Sequence, residues 1–205
     1  VMKGRTRSEV TNVAQIMQYG VEVSYTKQAA VGNLSGQSII GNQPVQDELA
    51  FQLDMAMKTA ARDIEHSFIQ GTYVADTNIT TARKTRGMLA AVTTNEVAGG
   101  AAALTQAKVE AALKAMADSG APFEMPVIFA NAFQKQKLSS IYSSALALAP
   151  RDRNIGGVNI TTIETDFGQV GIVFERHIPA DDVLIADLAF LKPVFLDIPG
   201  KGHFF

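Results

Sequence analysis

One long stretch of helical periodicity, residues 44–70, constrains the fold more than any other feature of the sequence. Pro44 suits the first turn of a helix, where its missing N–H has no partner to lose, and Gly71 suits the position after the last turn. One buried stripe is predicted along it, formed by Leu49, Leu53, Ala56, Ala60, Ile64 and Phe68. Such a helix is roughly 39 Å long, well above the mean of about 11–12 residues. It is therefore expected to be a spine on which other elements pack.

The composition excludes several classes of protein. Eighteen Lys and Arg stand against 20 Asp and Glu, a net charge of −2, so the chain is not built around a basic nucleic-acid-binding face. Cysteine is absent, which excludes disulfides, thiolate metal sites and cysteine nucleophiles. No apolar run is long enough to span a membrane. Because the chain begins at Val1 rather than Met, we expect it to be processed or truncated.

The first 43 residues are predicted to form an extended, polar segment. Residues 20–26 alternate apolar and polar side chains, which indicates a strand, and residues 12–19 are its candidate partner. The glycines at 32, 36 and 41 indicate a loop. This segment has too few large apolar side chains to bury itself, so we expect it to lie on another surface.

The rest of the chain alternates helices and strands, which predicts an α+β fold. Residues 72–103 are expected to be irregular. The predicted helices cover 106–118, capped by Thr105, and 132–146, capped by Asn131. The predicted strands cover 126–130, 158–165, 169–177, 183–186 and 194–198, with a hairpin turn at 166–168. The side chains expected to face inward are Val109, Ala112, Leu113 and Met116 on the first helix and Phe133, Leu138, Ile141 and Tyr142 on the second.

The histidines offer one weak candidate metal site. Glu175 and His177 share one face of a predicted strand, and Asp181 and Asp182 follow them. No third ligand stands at a recognisable spacing, which favours a structural role. His66, on the long helix, and His203, in the tail, support no site of their own.

Nucleophile and phosphate motifs fail on context. Ser24 and Lys27 match S-x-x-K, but they lie on a predicted strand and lack the companion motifs S-D-N and K-T-G. Residues 166–168 match the metal-binding motif of protein kinases, but the other kinase motifs are absent from the sequence. Glu164 and Asp166 flank the predicted turn, and the sequence indicates no pocket in which they could act as an acid–base pair. The basic clusters indicate solvated loops: Lys3/Arg5/Arg7, Arg83/Lys84/Arg86, Lys135/Lys137 and Arg151/Arg153. No catalytic, cofactor-binding or metal-binding residue is therefore predicted.

Three stretches in order carry a family resemblance: 7–26, 48–71 with 83–87 behind it, and 165–187. Their order, an arm followed by a spine helix and an α+β body, resembles that of the major capsid proteins of tailed bacteriophages, which have the Hong Kong 97-type fold. The resemblance implies a structural shell subunit, not an enzyme. It also implies hexamers and pentamers that enclose the viral genome, inside a virion assembled in the bacterial host cytoplasm.

The resemblance further implies domains and partners. Residues 1–43 correspond to the extended loop, 44–103 to the peripheral domain with spine helix 44–70, 104–185 to the axial domain, and 186–205 to the return strands of the peripheral domain. The implied partners are other copies of the chain, portal, scaffolding or decoration proteins, and packaged DNA bound without sequence preference. No cofactor and no membrane are implied.

Two other functions remain open at the level of sequence. One is an encapsulin-like nanocompartment, a shell of the same fold that encloses protein cargo instead of a viral genome. The other is a small hydrolase using Glu175 and His177 or Ser24 and Lys27. The low charged fraction, 19% against about 25% on average, favours a shell, because surfaces exposed on one copy would be covered by its neighbours.

Overall fold

The long helix is present and ends where its pattern indicated. The computed structural model describes residues 9–26, 48–145 and 161–202, and helix α1 spans Glu48–Gln70, immediately before Gly71. The predicted first turn at Pro44 lies outside the described residues. At 23 residues, α1 is the longest helix in the described part of the chain.

The prediction of a buried stripe along α1 is wrong. The exposed members are Leu49, Leu53 and Phe68, at 44%, 54% and 39% of their full area, and the half-buried members are Ala56, Ala60 and Ile64. Within α1, Ile69 is the buried residue, and it packs with Ile178 and Leu184. Because only the last turn of α1 reaches this core, the apolar periodicity of the earlier turns marks a surface that the described body leaves exposed.

A close approach of two glycines fixes the segment that follows α1. The N–H of Gly87 donates to the carbonyl oxygen of Gly71 at 2.7 Å, and helix α2 (Met88–Ala91) begins at the next residue. A Cβ on Gly87 would lie 2.7 Å from the Ile69 carbonyl oxygen and still closer to the Gly71 nitrogen. A bridge between Val74 and Lys84 closes the loop between the glycines. The region predicted to be irregular thus contains a short helix and a folded loop.

Helix α3 spans Gln106–Asp118, as its capping and periodicity predicted. Leu104 and Val109 lie in one apolar cluster, as in a hydrophobic staple across the N-terminus. The predicted cap is wrong, because the Thr105 side chain makes no capping hydrogen bond. The C-terminus closes with a Schellman pair: Gly120 (φ +84°) donates to the Ala117 carbonyl, and the next N–H donates to that of Met116.

A four-stranded mixed sheet forms the centre of the body. Its strands are β1 (Pro126–Ala130), β2 (Thr162–Thr165), β3 (Gly168–Phe174) and β4 (Val183–Asp187), in the order β2-β3-β1-β4. β1 and β3 are parallel, whereas the two outer pairs are antiparallel. The hairpin predicted at 166–168 joins β2 to β3. β3 ends three residues before the predicted end at 177, and residues 158–160 lie outside the described residues.

Helix α4 (Ala132–Ala145) follows β1 and carries one wrong prediction. Asn131 caps it, because the N–H of Gln134 donates to Asn131 Oδ1 at 2.9 Å. Leu138 and Tyr142 are buried as predicted, but Phe133 is 56% exposed. Gln134 takes the inward position, since it lies four residues before Leu138 on the same face, and its amide donates to the Ala180 carbonyl at 2.8 Å.

One apolar cluster joins α3 and α4 to the sheet. Its fully buried side chains are Leu113, Ile128, Leu138 and Val170. Phe123 and Phe167 stack at the margin of this cluster, with ring centroids 5.6 Å apart. The hairpin turn is therefore anchored by its aromatic residue.

The predicted strand at 20–26, its candidate partner at 12–19 and the predicted strand at 194–198 are not strands. Residues 9–24 contain neither helix nor strand, and residues 194–198 form only an isolated bridge between Ile198 and Gly202. Alternation alone does not make a strand, because a strand needs a backbone partner. No described segment pairs with either stretch to extend the sheet.

Residues 12–19 instead lie along the body, as the composition of this segment predicted. The Asn12 side chain accepts from the backbone N–H of Arg86 at 2.8 Å and donates to the Arg86 carbonyl at 3.2 Å. The side-chain oxygen of Gln15 accepts from the N–H of Thr85. The Tyr19 hydroxyl donates to Asp63 on α1 at 2.7 Å. Burial, together with this hydrogen bond and the Asp63 charge, raises the pKa of Tyr19 to about 12.

Asp187 closes the end of β4 and gives a pH-dependent prediction. Its carboxylate accepts from the backbone N–H groups of Glu124, Met125 and Ala189 at 2.8, 2.9 and 3.0 Å. Burial opposes ionisation, but these donors outweigh it and lower the pKa of Asp187. A lowered pKa stabilises the fold above the ordinary aspartate value of about 3.9, and this contribution is lost as the pH falls.

We expect Asp187→Asn to lower the thermal unfolding midpoint at pH 7 and the difference from the unsubstituted chain to shrink below about pH 3.9. Calorimetry at pH 7, 5 and 3 measures it. The charge-matched control is Asp118→Asn. The Asp118 carboxylate makes an exposed ion pair with Lys114, so its removal should change the unfolding midpoint little. Equal effects of the two substitutions at pH 7 would contradict the prediction.

Candidate functional site

Two glutamates and a histidine meet where the end of α1 faces the turn after β3. Glu65 lies on α1, whereas Glu175 and His177 follow the last residue of β3. His177 Nε2 is 3.4 Å from Glu65 Oε2, and the ring of His66 meets that of His177 edge-on, with centroids 5.6 Å apart. The Gln70 side-chain amide donates to the His177 carbonyl, which ties the turn to the helix.

Glu175 is the buried acid of this cluster. Its side chain and backbone are 9% exposed, and its Oε1 accepts the N–H of His177 at 2.9 Å. Its own N–H donates to the Ala130 carbonyl at 2.9 Å, which continues the register between β1 and β3 by one residue. Burial raises the pKa of Glu175, and the neighbouring Glu65 raises it further, against the opposing effect of the His177 N–H.

The sequence indicated two members of the cluster but missed the third. Glu175 and His177 were predicted to share a strand face; they lie instead in the turn after β3, where a hydrogen bond joins them. Glu65 is more than 100 residues away in the sequence, so no local spacing pointed to it. Asp181 and Asp182 are exposed and outside the cluster. His203 lies beyond the described residues.

A cavity of about 570 Å³ adjoins the cluster. Its lining combines apolar side chains with two carboxylates and two guanidinium groups, from Ala61, Arg62, Ile64, Glu65, Phe68, Ile69, Met88, Phe129, Glu175 and Arg176. None of the described residues that line it is a serine, threonine or cysteine, so it offers no side-chain nucleophile of these kinds. Ser24 is exposed and does not line it, and Lys27 lies outside the described residues. The arrangement suits cation binding or proton sharing better than hydrolysis through a covalent intermediate.

The basic clusters that the structure describes are bound to the chain itself. Arg83 pairs with Asp76 at 2.6 Å, and Arg86 lies over the ring of Tyr73 at 4.8 Å. Lys135 Nζ reaches the Ile172 carbonyl at 3.4 Å, and Lys137 lies 5.7 Å from the ring centroid of Phe133. The clusters at Lys3 and at Arg151 lie outside the described residues. Arg83, Lys84 and Arg86 lie in a loop, as predicted, whereas Lys135 and Lys137 lie on helix α4, so the prediction of loop charge is wrong for that pair.

Large apolar side chains are exposed at many places on the described surface, and two groups of them lie close together in the sequence. On α1, Leu53 and Met57 are 54% and 66% exposed and lie one helical turn apart. After β4, a continuous stretch exposes Phe190, Leu191, Val194, Phe195 and Leu196. Contiguous apolar surface of this kind marks sites of protein association.

Comparison with known proteins identifies the family. No curated protein matches the chain at a significant level. Within the described residues, no helix is long and apolar enough to cross a membrane. Residues 2–205, nearly the whole chain, match the family described as SU10 major capsid protein. The family is structural rather than enzymatic, and its place is the capsid of a bacteriophage virion. The mixed α and β body and the exposed apolar surface are compatible with that role, and the chain belongs to the SU10 major capsid protein family.

Proposed function

We propose that this chain is the repeating subunit of a bacteriophage head, and that copies of it assemble into the hexamers and pentamers of a closed shell around the genome. The match of residues 2–205 to a major capsid protein family carries the proposal. Assembly would take place in the cytoplasm of the bacterial host. Portal, scaffolding or decoration proteins would be its further partners.

We further propose the Hong Kong 97-type arrangement for the fold. Residues 1–43 would form the extended loop, 44–103 the peripheral domain, 104–185 the axial domain, and 186–205 the return strands. The long helix α1 and the small mixed sheet support this division. So do the exposed side chains of Val194, Phe195 and Leu196, because apolar surface exposed on one subunit suits an interface with a neighbouring one.

The surface supports assembly through apolar contacts rather than through charge. Leu53 and Met57 on α1 would be covered by a neighbouring copy, as would Val194 and Phe195. A net charge of −2 produces little repulsion between identical subunits. A closed shell sums many such contacts, so each one can be modest. Contact with packaged DNA would be weak, independent of sequence and sensitive to salt.

Negative-stain electron microscopy tests the proposal. We expect the protein, expressed without other phage proteins and concentrated, to form closed shells or hexameric rings. Sedimentation velocity on the same sample provides the quantitative measure, since rings and shells sediment far faster than a chain of 21.9 kDa. A protein that stays strictly monomeric at high concentration, with and without a co-expressed scaffolding protein, would overturn the proposal.

A further inference from the structure

We propose that Glu65, Glu175 and His177 form a binding site for one divalent transition-metal cation of the zinc class. Each side chain offers one ligand atom, and the three atoms lie within 4.8 Å of one another. The site joins the C-terminal half of α1 to the turn after β3. It does not depend on the proposed assembly, because all three residues belong to one chain.

The spacing of the ligand atoms suits a small cation. Zinc binds imidazole nitrogen and carboxylate oxygen at about 2.0–2.2 Å, so neighbouring ligand atoms of a tetrahedral site lie about 3.4 Å apart. His177 Nε2 and Glu65 Oε2 are separated by 3.4 Å. Glu175 is held beside them by the hydrogen bond from the His177 N–H. Small rotations of the exposed Glu65 side chain would complete the geometry, since it is 47% exposed.

A second observation concerns His177 itself. Its Nε2 is shielded from solvent and has no hydrogen-bond partner among the residues that the structure describes, and the side chain as a whole is 17% exposed. The contact with Glu65 is within ion-pair distance but lacks hydrogen-bond geometry. Buried polar atoms in native proteins almost always have a hydrogen-bond or metal partner, so we expect this nitrogen to have one. A cation between Nε2 and the two carboxylates supplies one.

The neighbouring arginines do not neutralise the carboxylates directly. Arg62 and Arg176 line the same cavity, yet no ion pair in the described ranges joins either of them to Glu65 or Glu175. When both carboxylates are ionised, they carry excess negative charge beside one imidazole, which a divalent cation balances. The cavity leaves space for water as a fourth ligand.

The donor set selects the type of metal. Magnesium and calcium prefer oxygen ligands throughout, whereas imidazole nitrogen favours zinc and related transition metals. Because its ligands come from two elements far apart in the sequence, such an ion acts as a cross-link. It would add to the Gln70 hydrogen bond that already holds the turn against α1.

The test compares two charge-matched variants of the whole chain. The protein is treated with EDTA, dialysed and titrated with ZnCl₂ by calorimetry, and its thermal unfolding is followed with and without zinc. We expect one saturable site per chain, a higher unfolding temperature with zinc, and no comparable shift with MgCl₂. Glu65→Gln removes one ligand at a half-exposed position and should weaken zinc binding at least tenfold. Loss of a group that only supports a metal ligand already weakens metal binding by about this factor.

Glu96→Gln is the control. Glu96 is an exposed carboxylate outside the cluster, so this variant should bind zinc as the unsubstituted chain does. Zinc binding that is equal in the Glu65→Gln variant and the unsubstituted chain would overturn the proposal, because the ion would then sit elsewhere. Absence of a saturable site would overturn it as well. Either result would leave the proposed shell function untouched, since electron microscopy tests that separately.

Discussion

Gly87→Ala is expected to destabilise the fold by about 3 kcal/mol, the upper part of the range for overpacking. The added Cβ would lie 2.7 Å from the Ile69 carbonyl oxygen and closer still to the Gly71 nitrogen. Both neighbours are backbone atoms, so no side chain can rotate away. The backbone must therefore move apart, which breaks the 2.7 Å hydrogen bond between the Gly87 N–H and the Gly71 carbonyl.

The consequence extends beyond the two glycines. Ile69 is the buried anchor of α1, and it packs with Ile178 and Leu184. A shift of the segment around Gly87 displaces this anchor, and with it the one end of α1 that is packed in the core. Urea unfolding followed by circular dichroism measures the loss as a lower midpoint at an unchanged slope.

The control is an alanine at a glycine with open space. A Cβ on Gly99 meets no atom within 4 Å, so Gly99→Ala should change stability by less than about 1 kcal/mol and in the stabilising direction. If Gly87→Ala were as harmless as this control, the close approach of the two backbones would be wrong.

The sequence predicted best those elements whose signals are local. The bounds of α3 follow from its helical periodicity and from the glycine after its C-terminus, and β1 follows from a continuous apolar run, so both appear where they were predicted. The hairpin at 166–168 is present for the same reason. In each case, the residues that specify the element lie within it or next to it.

The wrong or missed predictions concern which residues pack against a given helix or strand. The apolar periodicity of α1 is real, but it does not say whether its partner is the same chain, and Leu53 is exposed. Phe133 was expected inward by hydrophobicity, yet helical spacing placed Gln134 in line with Leu138 and Tyr142. Glu65 joined the His177 cluster through a contact between α1 and the turn after β3, which no local pattern encodes.

The exposed face of α1 gives the prediction with the largest effect on function. If neighbouring copies cover it, Leu53→Glu should abolish assembly of shells and rings while leaving the fold of the subunit intact. Leu53 is 54% exposed, so the substitution costs little in the isolated chain. In an assembled shell the same carboxylate would be buried without a partner in every copy, and a buried, unpaired charge is strongly destabilising.

The matched control is Thr59→Glu on the same helix. It introduces the same charge at an exposed position on a different face, about 120° away from Leu53 around α1 at about 100° per residue. Among the described residues, the Thr59 hydroxyl donates to the Met55 carbonyl within the same helix, so its removal costs little. Sedimentation velocity and electron microscopy should show Leu53→Glu as small, soluble species and Thr59→Glu as shells. Circular dichroism should show equal helix content in both. Shells formed equally well by both variants would mean that this face of α1 stays open to solvent in the assembled particle, and the interface would have to be sought at the stretch after β4.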